Sequence, residues 1–197
     1  MNIRTLCFSR ELFTKTVLRL MQKFPAVQVE LITLNGLPDL TKNRLDIAFQ
    51  TLGLRDLNYI SHKLGFCRSV LCTSKQYLEQ KGTPSHPTDL TRHELIGQLQ
   101  MPLPMRLKNS KECIDIEFIG QFSSNSASVI LDAVRLHFGI GILTDLTVLD
   151  NLRGGQLVQV LPDWLYPLTE KAPMETKNER QTGTLFGCSR CSLLFRN

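Results

Sequence analysis

No apolar run in this 197-residue chain is long enough to cross a bilayer, which takes about twenty mainly apolar residues. The opening stretch MNIRTLCFSREL breaks its apolar residues with charges and has no small-residue cleavage site, so it is not a secretory signal. A cytoplasmic protein with no membrane partner is expected. There is no block of lysines or arginines: 23 basic and 18 acidic residues are scattered and leave a net charge of +5, the pattern of a solvated surface and not of a DNA-binding face. No GxGxxG and no P-loop occurs, and His62, His86, His93 and His137 stand in neither nucleophile-elbow nor metal-ligand spacing, so no enzyme is expected. His137 reads as a helix-end residue that suits the dipole there. A CxxC at Cys188 and Cys191 has no second pair and no nearby histidine, whereas a zinc site takes about four ligands. No metal and no cofactor is therefore expected. The other four cysteines lie in apolar or strand-like segments, where a free thiol behaves as a small hydrophobe.

What is present is ordinary globular chemistry, 42% hydrophobic and 21% charged residues. The stretch Phe24–Phe49 organises it. Val27, Val29, Leu31 and Thr33 alternate with Gln28 and Glu30, the period of a half-buried strand. Asn35-Gly36 signals a turn, Leu37 and Leu40 fit one face of a short helix, and Leu45, Ile47 and Phe49 alternate again. So short a strand–helix–strand unit predicts a parallel pair joined by a right-handed crossover.

Upstream, residues 2 to 7 read as a first strand. Leu12, Phe13, Val17, Leu20, Met21 and Phe24 then mark a helix capped by Ser9 and stopped by Pro25. Downstream, Leu57 to Leu64 reads as a short edge strand and Arg68 to Thr73 as a separate apolar one. A helix from Ser74 closes at Gly82, and a short helix covers Asp89 to His93. A weak strand pair follows at Met105–Leu107 and Cys113–Phe118, then a strand at Phe118–Phe122. Ser123 to Ser126 precede a helix over 126–138 with Ala127, Ile130, Ala133, Val134 and Phe138 on its buried face and Gly139 as its cap. The strand Ile140–Leu143, a helix Asp145–Leu152 and the strand QLVQVL complete the pattern. Beyond Trp164 the periodicity decays; residues 170 to 183 read as loop or disorder, and Leu185 to Leu194 as one further strand. Repeated β-α-β units argue an α/β protein built on doubly wound parallel sheets.

Four segments carry a resemblance: LRLMQKFPAVQVEL, LTKNRLDIAFQTLGL, CTSKQYLEQKGTPSHPTDLTRHELIG, and SSNSASVILDAVRLHFGIGIL followed by GGQLVQVLPDW. In this order and spacing they resemble the effector-binding domain of LysR-type transcriptional regulators over residues 10 to 164. The resemblance implies a two-lobed fold of the type 2 periplasmic-binding-protein kind, each lobe a mostly parallel sheet with helices on both faces. Lobe I would hold residues 1–70 with 162–197 returning to it, and lobe II residues 71–161. Strands near Ser69–Thr73 and Val158–Leu161 would cross between them. It implies a small-molecule effector between the lobes and a homodimer or higher oligomer, the helix Leu12–Phe24 of one chain against the helix 126–138 of another. DNA would be reached only through a winged helix-turn-helix that this sequence does not contain. The other reading left open is a stand-alone solute-binding protein of the same fold, against which the missing signal peptide counts.

The residues point to the same cleft independently. Ligands of open α/β sheets sit beyond the carboxyl ends of the strands, and helix N-termini there suit a carboxylate or similar anion. The candidate effector contacts are Cys7 and Ser9 after the first strand, Thr33 and Asn35, Gln50 and Thr51, and Ser124, Asn125 and Ser126. Each hydroxyl among them also suits a plain helix cap or turn. The tail departs from the family, which returns at this point with a strand and an apolar helix; the abrupt loss of period after Trp164 is the pattern a shifted reading frame leaves.

Overall fold

The computed structural model describes residues 2–6, 10–34, 46–50, 60–99, 104–117, 120–166 and 188–195. The chain opens with β1 (Asn2–Leu6), α1 (Arg10–Lys23), β2 (Glu30–Leu34) and β3 (Ile47–Gln50). Next come β4 (Ile60–Ser74), α2 (Lys75–Lys81), a 3-10 helix over Pro87–Arg92 and β5 (Leu95–Gln98). A hairpin of β6 (Met105–Lys108) and β7 (Cys113–Ile116) leads to β8 (Phe122–Ser124), α3 (Ala127–Arg135), β9 (Ile140–Thr144), α4 (Asp145–Arg153) and β10 (Leu157–Val160). β11 (Cys188–Phe195) lies in the tail.

Among the described residues nine strands form one sheet in the order β2-β1-β3-β11-β4-β9-β5-β8, with β10 also on β4. β2 and β3 are parallel as expected but are not neighbours: β1 pairs with both. The crossover between them therefore passes over a strand that the local pattern could not reveal. The two segments read as separate strands at Leu57–Leu64 and Arg68–Thr73 are one strand, β4, of fifteen residues. Its first part, Ile60–Arg68, pairs with β11, and its second part pairs with β9 from Ser69 to Cys72 and with β10 from Leu71 to Ser74. The two strands expected to cross, near Ser69–Thr73 and Val158–Leu161, thus meet as an antiparallel ladder in which Val158 faces Thr73.

The described core follows the strand period. On one face of β4 and β9, Leu71, Ile140 and Ile142 pack with Tyr77, Leu90 and Trp164. On the other, Val70, Cys72 and Leu143 pack with Ile130 and Val134 of α3 and Val148 of α4. The hairpin closes the first cluster with Met105, Leu107 and Ile116, and Lys108 bridges to Leu165. α1 buries Val17 and reaches α4 where Lys15 Nζ donates to Asp150 Oδ2 at 3.5 Å.

Several boundaries differ from the sequence pattern. β2 starts at Glu30, and the third segment of the parallel set, β8, starts at Phe122 instead of ending there. The turn after Pro87 is 3-10 because Asp89 accepts from the Ser85 and His86 N–H groups, both at 2.9 Å, and draws the first turn tight. The helix expected to run to 138 stops at Arg135, with Leu136 as its cap and His137 in the left-handed region at φ 63°. Gly139 is not that cap. A Cβ there would collide with the Glu94 carbonyl, which accepts from Ile140 N at 2.8 Å. The tail strand occupies Cys188–Phe195, close to the expected Leu185–Leu194. The proposed helix at Leu37–Leu40 and the Ser9 cap lie outside the described residues.

Candidate functional site

Strand direction defines the site. β11 is antiparallel to both β3 and β4, so β1, β2 and β3 run the same way as β4. β9 is antiparallel to β4, and β5 and β8 run parallel to β9. The two parallel sets therefore point their carboxyl ends at each other along β4. Register fixes the gap: Gln50, the end of β3, lies level with Lys63 through Ser192, and Thr144, the end of β9, faces Ser69. The strand rise makes the distance between those levels roughly 20 Å. Two sets of strand ends facing each other over a shared strand make a cleft for a small ligand.

From the second set, β8 ends beside β5 with Ser124 level with Gln98, and Leu99 N donates to the Ser124 carbonyl at 3.0 Å. Ser124 Oγ accepts from Ser126 N at 3.1 Å, which turns the chain into α3. Ser126 is the N-cap residue by position, but its hydroxyl makes no capping bond; it lies 2.9 Å from Ser128 Oγ. The first turn of α3 carries no acidic residue. α4 starts differently. Its cap, Thr144, bonds Thr147 through their hydroxyls at 2.8 Å, and Asp145 accepts from Leu146 N at 2.8 Å and from Arg68 N at 3.2 Å. A carboxylate already complements the positive end of α4, while the start of α3 has backbone donors and a positive dipole end with no acidic side chain against it.

Of the sequence-predicted contacts, Ser124, Asn125 and Ser126 stand together at this strand end, with Ser124 and Ser126 half-buried and Asn125 exposed. Thr33 and Gln50 sit at the carboxyl ends of β2 and β3, the facing set. Cys7, Ser9, Asn35 and Thr51 lie outside the described residues. Sequence reasoning missed Gln98, Ser69 and Thr144. Gln98 had a usable signal, being the last residue of a short apolar strand before a proline-broken segment; Ser69 had none, because its place depends on β9. Among the described residues no group of three or more His, Cys, Asp or Glu side chains is arranged to hold a metal ion, and no helix is long and apolar enough to cross a membrane.

A ligand-binding α/β domain of the type 2 periplasmic-binding-protein kind is the class that this topology defines. The sequence matches the LysR substrate binding domain family over residues 5–173, and the chain belongs to that family. It is 33% identical over 144 residues to the probable HTH-type transcriptional regulator LtrA of Klebsiella pneumoniae, covering 72% of this chain and 47% of LtrA. It is 27% identical over 160 residues to the HTH-type transcriptional activator TtdR of Escherichia coli K12, covering 80% and 52%. The chain thus spans about half the length of these curated relatives. They are transcriptional regulators and not enzymes. The fold matches the full-length virulence activator AphB of Vibrio cholerae with a TM-score of 0.79 at 24% identity, over 100% of this chain and 61% of AphB. It matches the CrgA regulatory domain of Neisseria meningitidis with a TM-score of 0.80 at 17% identity, over 100% and 88%.

Proposed function

We propose that this effector-binding domain seats a small anionic metabolite between its two opposed sets of strand ends and passes its occupancy to a DNA-binding domain in a cytoplasmic LysR-type regulator. The observation that carries the reading is the start of α3: backbone donors at a helix N-terminus without an acidic residue, reached from Ser124 at the carboxyl end of β8. Ser124, Asn125 and Ser126 would hold the anion, with Gln98 beside them. Cys7, Ser9, Thr33, Asn35, Gln50 and Thr51 would close on it from the other side. Lobe I would comprise residues 1–70 and 162–197 and lobe II residues 71–161, with the β4–β10 ladder as the hinge between them. Ligand that binds one lobe angle better than another shifts the population toward it.

A thermal-melt screen of small carboxylates against the 197-residue chain tests this. A ligand at a hundred times its dissociation constant adds about 2.7 kcal/mol, or roughly 5 to 10 °C for a domain of this size. At least one carboxylate should raise the melting temperature of the wild type and fail to do so for Ser124→Ala. If every carboxylate leaves the wild type unmoved, the anion reading is wrong.

A further inference from the structure

Ser69 is 3% exposed, and its Oγ is buried without a hydrogen-bond partner among the described residues. A buried hydroxyl left unpaired weakens a fold, and in a native protein it calls for a reason. Its place supplies one. Ser69 is the residue of β4 at which pairing changes hands: Arg68 is the last position opposite β11, and Ser69 the first opposite β9. It stands level with Thr144, the carboxyl end of β9 and the cap of α4, and bridges to Tyr166 on its other edge. Alternation puts it on the same face of β4 as Leu71. The unpaired hydroxyl is therefore at the floor of the cleft.

Resting on the effector-site reading above, we propose that the Ser69 hydroxyl is a second subsite of the effector, taking a neutral oxygen, a hydroxyl or a carbonyl. Charge decides the class. Asp145, next to Thr144, already supplies the first turn of α4 with a carboxylate, so a second anion beside it is disfavoured. The start of α3 has no such residue. The two subsites lie at nearly the same level of the sheet, since Ser124 and Ser69 are separated by β5 and β9. Three strand spacings make that roughly 14 Å between Cα atoms. The effector is thus a carboxylic acid that carries a hydroxyl or oxo group at a distance from the acid, its charged end at α3 and its neutral oxygen at Ser69.

The experiment compares melting temperatures of wild type, Ser69→Ala and Ser124→Ala, alone and with three sets of acids at millimolar concentration: propionate, lactate and pyruvate; succinate, malate and oxaloacetate; glutarate, 2-hydroxyglutarate and 2-oxoglutarate. Without ligand, Ser69→Ala should melt no lower than wild type, since no bond is lost. A fall of several degrees would mean a structural partner and would overturn the proposal. With ligand, an oxygenated acid should shift the wild type more than its parent acid, and in Ser69→Ala that difference should vanish. Parent and oxygenated acids shifting the wild type alike, or an undiminished difference in Ser69→Ala, leaves the hydroxyl to water and overturns it. A shift that survives Ser69→Ala but disappears in Ser124→Ala sinks this subsite alone. A shift that survives Ser124→Ala and disappears in Ser69→Ala sinks the anion site instead. Silence from all nine acids on the wild type overturns the hydroxy- or oxo-acid assignment.

Discussion

Gly139 and Gly141 are held by what lies against them. A Cβ at Gly141 would come within 2.6 Å of Val134 Cγ2 and 3.2 Å of Ile130 Cγ2, so α3 lies directly on β9 at that point. At Gly139 the obstacle is the Glu94 backbone, which has no rotamer to change. Overpacking of this kind costs about 1–3 kcal/mol. Gly141→Ala should lie in that range and Gly139→Ala at or above its top, as read from urea unfolding midpoints. The thiols differ as sharply. Burial pushes Cys72 up to about 12, so at neutral pH it stays protonated and unreactive, while Cys113 is exposed. In the native protein, alkylation followed by peptide mapping should label Cys113 well before Cys72 or the buried Cys67, and denaturant should abolish the difference.

At the scale of the element, the 3-10 helix depends on one carboxylate. The backbone donors of His86 and Ser85, then the Ser85 hydroxyl, hold Asp89 below the usual carboxylate range. A lowered folded value stabilises the fold above the unfolded value, about 3.9, and that contribution is lost as pH falls through the folded value. Asp89→Asn should therefore flatten the fall in melting temperature below about pH 4. His93 works in the next pH window. Burial lowers it, so its contribution is present above the unfolded value of about 6.5 and is lost as pH falls through the folded one. Melting scans of His93→Gln should lose part of the acid sensitivity between pH 6.5 and that lower value. α3 and its strand were legible because Ile130 and Val134 repeat at helical spacing and both are buried. β4 was not. Its exposed face carries Ile60, Leu64 (55% exposed) and Phe66, so the rule that apolar positions mark the inside misleads there. Gly139 was misread for a related reason, since its partner Glu94 is distant in sequence and a helix-end rule was the only local explanation.

At the scale of the molecule, the order of segments gave the family and the two sets of strands, because helix and strand periods are local. What joins the sets is not local. The β4–β9, β4–β10 and β11 pairings link residues far apart in sequence, and the candidate residues at those joins, Ser69 and Thr144, went unnoticed with them. Assembly is also written on the surface. Leu18 and Phe24 on α1, and Val129 on α3 with Leu136 (78% exposed) at its end, are open apolar positions on the two helices expected to pair between chains. Leu18→Glu or Leu136→Glu should shift the chain from dimer to monomer in light scattering while leaving the circular dichroism unchanged. A wild type that is already monomeric at high micromolar concentration would remove the dimer.

β11 has a consequence for how the chain reaches this state. It fills the slot between β3 and β4 and meets each of them across more than a hundred residues of sequence. Closing so long a loop is slow to be rewarded, whereas β9, α4 and β10 assemble on β4 from a contiguous stretch of chain. The half containing α3 can therefore form first, with one edge of β3 and one of β4 waiting. Unpaired edges recruit other chains. The yield of soluble protein is then a race between the docking of one eight-residue strand and the encounter of two half-finished molecules.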